Sequence, residues 1–284
     1  LYGRTFGRRV MPEGLHNIAE SGVALDMLNA AVRYLAPRRG KALSEQLHWW
    51  SKRWIARTGA AHALDAPAVI AHYQMAHAAF RQSTGLKILN YPIAHHRYIQ
   101  RFVAEESDRE PEFKDSLPDW TKVPRWLEPQ LDAECASADH ILVGSGFVRE
   151  TFALEGIPPE KISVIPYGAN LSTFRPAADP AISPRQGLRI LFVGQIGQRK
   201  GISYLLRAYR AFHGPETSCT LVGNLYGNAP GLRRYADLFS HVSHLPHGEL
   251  AERYRQAAAF VFPTLLEGMP LVVLEAMASR LPVI

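Results

Sequence analysis

The sequence predicts an α/β protein built of two doubly wound domains. Three observations predict it. Short apolar runs alternate with longer helical patterns from about residue 67 to the end. A proline-rich stretch of little periodicity interrupts the alternation past the middle. The chain's 284 residues exceed what one core usually needs. Apolar residues make up 47% and charged residues 20%, as is ordinary for a globular protein.

In chain order, "PAVIAHY" reads as a strand and "QMAHAAFRQS" as a helix. "LKILNYP" is a strand, "PRWLEPQLDAECASA" a helix, "DHILVGS" a strand, "GFVRETFALEG" a helix and "KISVIPYG" a strand. Repeated β-then-α units predict a parallel sheet covered by helices on both faces. "NLSTFRPAADPAISPRQG" carries Pro176, Pro180 and Pro184 and reads as an interdomain connection. The rhythm restarts with strand "LRILFVGQ", helix "KGISYLLRAYRAF", strand "SCTLVGN", helix "GLRRYADLFS", strand "HVSHLP" and helix "GELAERYRQA". Strand "AAFVFP", loop "TLLEGMP", helix "LVVLEAMAS" and strand "LPVI" close it. The expected division is residues 1–170, a linker at 171–187, and a second domain at 188–284. That second domain reads as incomplete, because its last strand has no following helix. The start lacks an initiator Met and a signal-length apolar stretch and reads as cut, so with the unfinished second domain the chain is expected to be incomplete at both ends.

The net charge is +6, and residues 1–60 hold ten Arg/Lys against four acids, while the remaining 224 residues balance. The basic excess is therefore local, and no nucleic-acid partner is expected. No apolar run approaches the roughly 18 residues of a membrane span. Leu43, Leu47, Trp50 and Trp54 fall within about 60° on a helical wheel. That face fits a helix packed on the sheet. With Lys52, Arg53 and Arg57 nearby, it also fits peripheral contact of residues 43–57 with an anionic membrane. Cys135 and Cys219 lack metal-ligand spacing and read as buried thiols of a reducing compartment. His72 and His77 have no obvious third ligand, so no metal site is expected there. "LVGSGF" lacks the outer glycines of a nucleophile elbow, which would have to stand at Val143 and Phe147.

Chemistry concentrates in two loops. In "LFVGQIGQRKGISYLL" a strand ends at Gly194, a short loop carries Gly197, Arg199 and Lys200, and a helix begins near Gly201. Free N–H groups at the helix start, joined by Lys200, suit a phosphate or diphosphate, although a solvated basic turn also fits. The second is "EGMPLVVLEAMASRLPVI", in which Glu267 and Glu275 frame seven residues. Gly268 and Pro270 suit a loop running into a helix. Eight residues at helical rise span roughly 12 Å, the order of the distance from a sugar to a ribose across a diphosphate. One carboxylate is thus placed for a hexose and the other for a ribose, with two exposed acids on an amphipathic helix as the alternative.

This stretch resembles the E-x7-E signature of glycosyltransferase family 4, retaining enzymes of the GT-B fold. "ADHILVGSGFVRETFALEGIPPEKISVIPYGANLSTFRP", "ILFVGQIGQRKGISYLLRAY" and "AAFVFPTLLEGMP" resemble further family segments in the same order, together covering roughly residues 125–284. The resemblance implies two Rossmann-like domains facing across a cleft, the first on the acceptor side and the second binding a nucleotide-sugar donor. It implies transfer of the sugar to a hydroxyl with retention of anomeric configuration. The acceptor would be a sugar, a lipid-linked or another hydroxyl compound, in polysaccharide or glycolipid synthesis. No cofactor or metal is implied, and the D-x-D pair of metal-dependent transferases is missing from the sequence. The implied location is the cytoplasm, extending to the inner face of the membrane.

By resemblance, Glu267 lies at the transferring sugar and Glu275 holds the ribose hydroxyls. Gly268, Met269, Pro270 and Leu271 line sugar and phosphate, and Lys200 stabilises the diphosphate leaving group. Gly194 precedes a departure: the family usually has arginine next, and here it is Gln195, which supplies no charge. Arg199 is placed to substitute. On the acceptor side the family contributes a histidine from a loop after a strand. "LNYPIAHHRYIQ" offers His95 ahead of His96, and a surface histidine pair also fits. Two other classes remain open at this stage: an impaired nucleotide-sugar-binding scaffold, suggested by Gln195, and another GT-B chemistry such as phosphorolysis or epimerisation.

Overall fold

The computed structural model describes residues 40–119, 123–176, 187–227 and 230–284. Residues 1–39, which hold six of the ten basic residues of the N-terminal excess, lie outside them, as does most of the expected linker.

The first half opens with helix α1 (Gly40–Ala60), then strand β1 (Ala68–His72), α2 (Ala76–Gln82), β2 (Leu86–Asn90) and α3 (His96–Arg109). After a 3₁₀ turn at Pro111–Ser116 come α4 (Leu127–Ser137), β3 (His140–Val143), α5 (Gly146–Ala153) and β4 (Ile162–Val164). The four strands form one parallel sheet in the order β1-β2-β3-β4. Leu89, Ile141, Val143 and Ile162 are its buried side chains, packed with Phe80, Val148 and Phe152 from the helices.

The second half contains β5 (Leu188–Val193), α6 (Ile202–Arg210), β6 (Thr217–Val222), β7 (Ser240–Val242), α7 (His247–Gln256), β8 (Ala259–Phe260) and α8 (Leu271–Ala278). Its parallel sheet runs β7-β6-β5-β8. β5 is buried along most of its length, as a strand covered on both faces must be. Helix α6 buries Ile202, Leu205, Leu206 and Tyr209, the i, i+3, i+4, i+7 stripe of an amphipathic helix.

Several expectations change. "GLRRYADLFS" is not an α-helix; it holds a 3₁₀ turn at Pro230–Tyr235. Its buried side chains Leu232 and Tyr235 are spaced by three, which matches three residues per turn. "LPVI" does not form a full strand. It makes a parallel bridge, Phe260 to Val283, with Phe260 N donating to Pro282 O at 2.8 Å. Helix α3, unassigned from the sequence, is well formed. Of the proposed apolar face of α1 only Leu47 is buried, while Leu43, Trp50 and Trp54 are exposed. The helix packs against α2, its Ala60 shares a small cluster with Ala79 of α2 and Val69 of β1, and Trp49 and Trp126 meet edge to face at 5.8 Å. Both cysteines are buried and free, and burial pushes each thiol up to about 12. Among the described residues, no helix is long and apolar enough to cross a membrane.

Candidate active site

The strand order locates the site. From β5 the chain moves outward through β6 to β7, then returns to the other side of β5 as β8. The loops leaving β5 and β8 therefore diverge at a topological switch point, where open α/β sheets bind ligands. These loops carry Gly194 to Lys200 and Glu267 to Leu271, the two stretches singled out by sequence.

They touch through a glycine. Gly201 has φ +69°, and a Cβ there would lie 1.9 Å from the carbonyl oxygen of Pro263. Only glycine permits both that backbone and that approach. Leu265 N then donates to Arg199 O at 3.1 Å, joining the loops.

The side chains converge on one carboxylate. Arg199 Nη1 donates to Glu267 Oε1 at 2.8 Å and to Leu266 O at 3.0 Å. Lys200 Nζ pairs with the same Oε1, and Thr264 Oγ1 lies 3.3 Å from it. Lys200 also sits 5.0 Å from the centre of the Phe262 ring. Burial lowers the Lys200 pKa from the ordinary lysine value, with Glu267 opposing that shift. Beside this cluster is a cavity of about 110 Å³ lined by Gln195, Arg199 and Lys200, with Tyr226 and, from the first half, Ser116 and Pro118.

Glu275 stands apart, one helical stretch further on. It is half-buried and accepts from Tyr254 Oη at 3.2 Å. Burial raises its pKa above the ordinary carboxylate value, countered by the Tyr254 hydrogen bond and by His247. Pro270 caps α8 and Leu271 opens it, so the first N–H groups of that helix lack intrahelical acceptors.

The first half approaches from the carboxyl ends of its own strands. Ser145 Oγ, after β3, donates to Gly268 O at 2.6 Å. A Cβ on Gly268 would lie 1.7 Å from Pro92 O, after β2, and one on Gly144 would lie 2.9 Å from Met269 Cβ. The loop carrying His95 thus abuts Gly268, but His95 itself is not in the charged cluster. It is 3% exposed, lies parallel to Tyr91 and edge-on to Phe152, and its Nδ1 accepts from Arg97 N at 3.3 Å to cap α3. Burial, with the neighbouring His96, lowers its pKa to about 4, so the ring is neutral near pH 7. His96 is committed elsewhere, with Nε2 3.1 Å from Asp132.

Of the residues expected from the sequence, Arg199, Lys200 and Glu267 form one cluster and Gln195 lines the adjacent cavity, while Gly194 and Gly268 lie in the same two loops. Ser116, Pro118 and Tyr226, which also line the cavity, and Tyr254, which meets Glu275, carry no local chemical pattern in the sequence.

Two Rossmann-like domains with the carboxyl ends of their parallel strands turned toward one another, meeting at a switch point, constitute the GT-B fold. Among solved structures, sucrose-phosphate synthase from Thermosynechococcus elongatus matches with a TM-score of 0.58 at 24% identity, over 87% of this chain and 61% of that one. Anabaena HepE in complex with UDP-glucose matches with a TM-score of 0.58 at 16% identity, over 93% and 77%. At these identities the likeness speaks to fold. Residues 187–284 match the family model of the glycosyl transferases group 1. D-inositol 3-phosphate glycosyltransferase of Thermobispora bispora is 36% identical over 158 residues, 48% of this chain and 36% of that protein. Its counterpart from Mycobacterium tuberculosis is 31% identical over 163 residues, 52% and 34% respectively. The match spans about a third of the length of these curated relatives.

Proposed function

We propose that the protein is a glycosyltransferase that moves a sugar from a nucleotide-sugar donor to an acceptor hydroxyl, with retention at the anomeric carbon and without a metal. The observation that carries this is the convergence of Lys200 and Arg199 on Glu267 at the switch point of the second sheet. Breaking the anomeric bond leaves charge on a diphosphate, and two cations fixed in a water-poor seam stabilise that charge without reorganising. Arg199 supplies the charge that Gln195 does not. The cavity of about 110 Å³ is small beside the roughly 300–1,000 Å³ of whole-ligand sites, so it suits the phosphates rather than the entire donor.

In this scheme Glu267 leaves its ion pairs when a diphosphate arrives and turns to the transferring sugar. Gly268, Met269, Pro270 and Leu271 line sugar and phosphate, and Glu275 accepts the ribose hydroxyls. His95 serves the acceptor-side loop as a neutral ring whose Nε2 remains for a ligand. The relatives named for D-inositol 3-phosphate and the HepE complex with UDP-glucose support a sugar-nucleotide donor and a hydroxyl acceptor. Calorimetry with UDP, GDP and ADP, followed by a transfer assay in EDTA with the product anomer assigned by NMR, tests it. Micromolar binding of one diphosphate and EDTA-resistant formation of the donor's anomer are expected. No binding of any of the three overturns the assignment.

A second element of the proposal concerns α1. Leu43, Trp50 and Trp54 are exposed on one face, and Arg53 and Arg57 are exposed beside it. That composition suits peripheral contact with an anionic bilayer. Liposome co-sedimentation should rise with anionic lipid and fall with salt; binding indifferent to lipid charge returns these tryptophans to another role.

A further inference from the structure

Glu106 is a carboxylate from the first half of the chain, 1% exposed, and the scheme above leaves it without a task. It lies near the end of α3 and reaches the second half. Its Oε1 accepts from Gln198 Nε2 at 2.7 Å and from Tyr204 Oη at 2.9 Å, and Arg109 Nη1 lies 3.4 Å from its Oε2. Gln198 is fully buried and opens the 3₁₀ turn Gln198–Lys200. Every polar group of its side chain is occupied: Nε2 also donates to Ser203 Oγ at 2.8 Å, and Oε1 accepts from Ser203 N at 3.4 Å. Its backbone N donates to Ser116 Oγ at 2.9 Å, again from the first half. Two first-half groups therefore fix the residue directly preceding Arg199 and Lys200.

A buried carboxylate is costly unless its hydrogen bonds are made, so Glu106 and Gln198 hold one another in a single geometry. We propose that Glu106 is a positioning residue for the phosphate loop. Through Gln198 it sets the turn that aims Arg199 and Lys200, and it makes that aim conditional on α3 being seated against that turn and α6. This rests on the diphosphate reading of Lys200 and Arg199. It adds that the diphosphate site is completed from the acceptor-side half.

The experiment uses the purified protein and whichever of UDP, GDP and ADP it binds most tightly, with the parent nucleoside as control. Glu106→Ala is expected to weaken the diphosphate by roughly ten-fold, about 1.4 kcal/mol, and to leave nucleoside affinity unchanged. Glu106→Gln keeps an acceptor oxygen for Gln198 and Tyr204 and is expected to restore most of the loss. Should Glu106→Ala fail to fold, Gln198→Met removes the same contact from the other side and is expected to show the same split. A fall in thermal stability with diphosphate affinity intact, or equal losses for diphosphate and nucleoside, would overturn the positioning role alone. A parent protein that binds none of the three diphosphates overturns it together with the reading on which it rests.

Discussion

Replacing Glu267 by alanine removes the carboxylate that Lys200 and Arg199 share. The three side chains are 16%, 11% and 21% exposed, so the cluster lies between an exposed pair and a buried one. Exposed pairs contribute up to about 1 kcal/mol, and breaking a buried pair costs about 3–5 kcal/mol. A loss of about 2 kcal/mol is therefore expected, which lowers the melting temperature by about 4–8 °C in a protein of this size. Ligand affinity should move the other way. In the unliganded protein Glu267 occupies the cations a diphosphate would use, so its removal should leave nucleoside diphosphate binding equal or tighter. Turnover should still fall by about 100-fold or more, because the group facing the transferring sugar is gone. Differential scanning calorimetry, titration calorimetry and a transfer assay on the one variant read all three. A diphosphate affinity that drops in step with stability would show that Glu267 organises the loop rather than competing for its charges. An unchanged melting temperature would refute the ion-paired cluster itself.

Gly201→Ala places a Cβ at φ +69° against Pro263 O, and is expected to cost at least 2 kcal/mol in chemical denaturation and to abolish diphosphate binding, since both loops must shift. Glu275 has a raised pKa, so its own contribution to stability is greatest below pH 4.5 and fades as pH rises through the shifted value. Ribose binding needs the ionised form and runs the opposite way. Nucleotide affinity should fall on acidification at a pH above 4.5, and Glu275→Gln should bind about 1.5–3 kcal/mol more weakly without that pH dependence. His95 has its pKa lowered from 6.5 to about 4, so the stability it supports is complete above 6.5 and is lost as pH falls toward 4. His95→Gln should flatten urea-derived stability across that window.

The strands were legible because buried parallel strands are continuous apolar runs, and "LRILFV" is one. The charged loop was legible because glycine, arginine and lysine stand together where a strand gives way to a helix. Glu106 was not. Its partner Gln198 lies 92 positions away, and nothing local separates it from the solvated acids around it. The face of Leu43, Trp50 and Trp54 was ambiguous for a related reason. Periodicity says which side chains share a face, but not whether anything covers it. The turn at Pro230–Tyr235 misled because spacing by three satisfies part of an α-helical pattern as well as a 3₁₀ one.

Phe113 lies in the first half of the chain, yet its ring is 2% exposed within the hydrophobic core of the second. It fills the space over Gly231, where a Cβ would come within 2.5 Å of the ring. The unit that recurs in sequence, residues 187–284, is therefore not the unit that packs. A second half excised at 187, or grafted onto a foreign first half, would carry a socket without its plug. Truncating a buried phenylalanine typically costs about 3–5 kcal/mol, a large share of what holds a domain of that size together. Chimaeras between relatives of this protein should exchange the 106–117 segment together with the second half, so that Phe113 and Glu106 travel with the surfaces they complete.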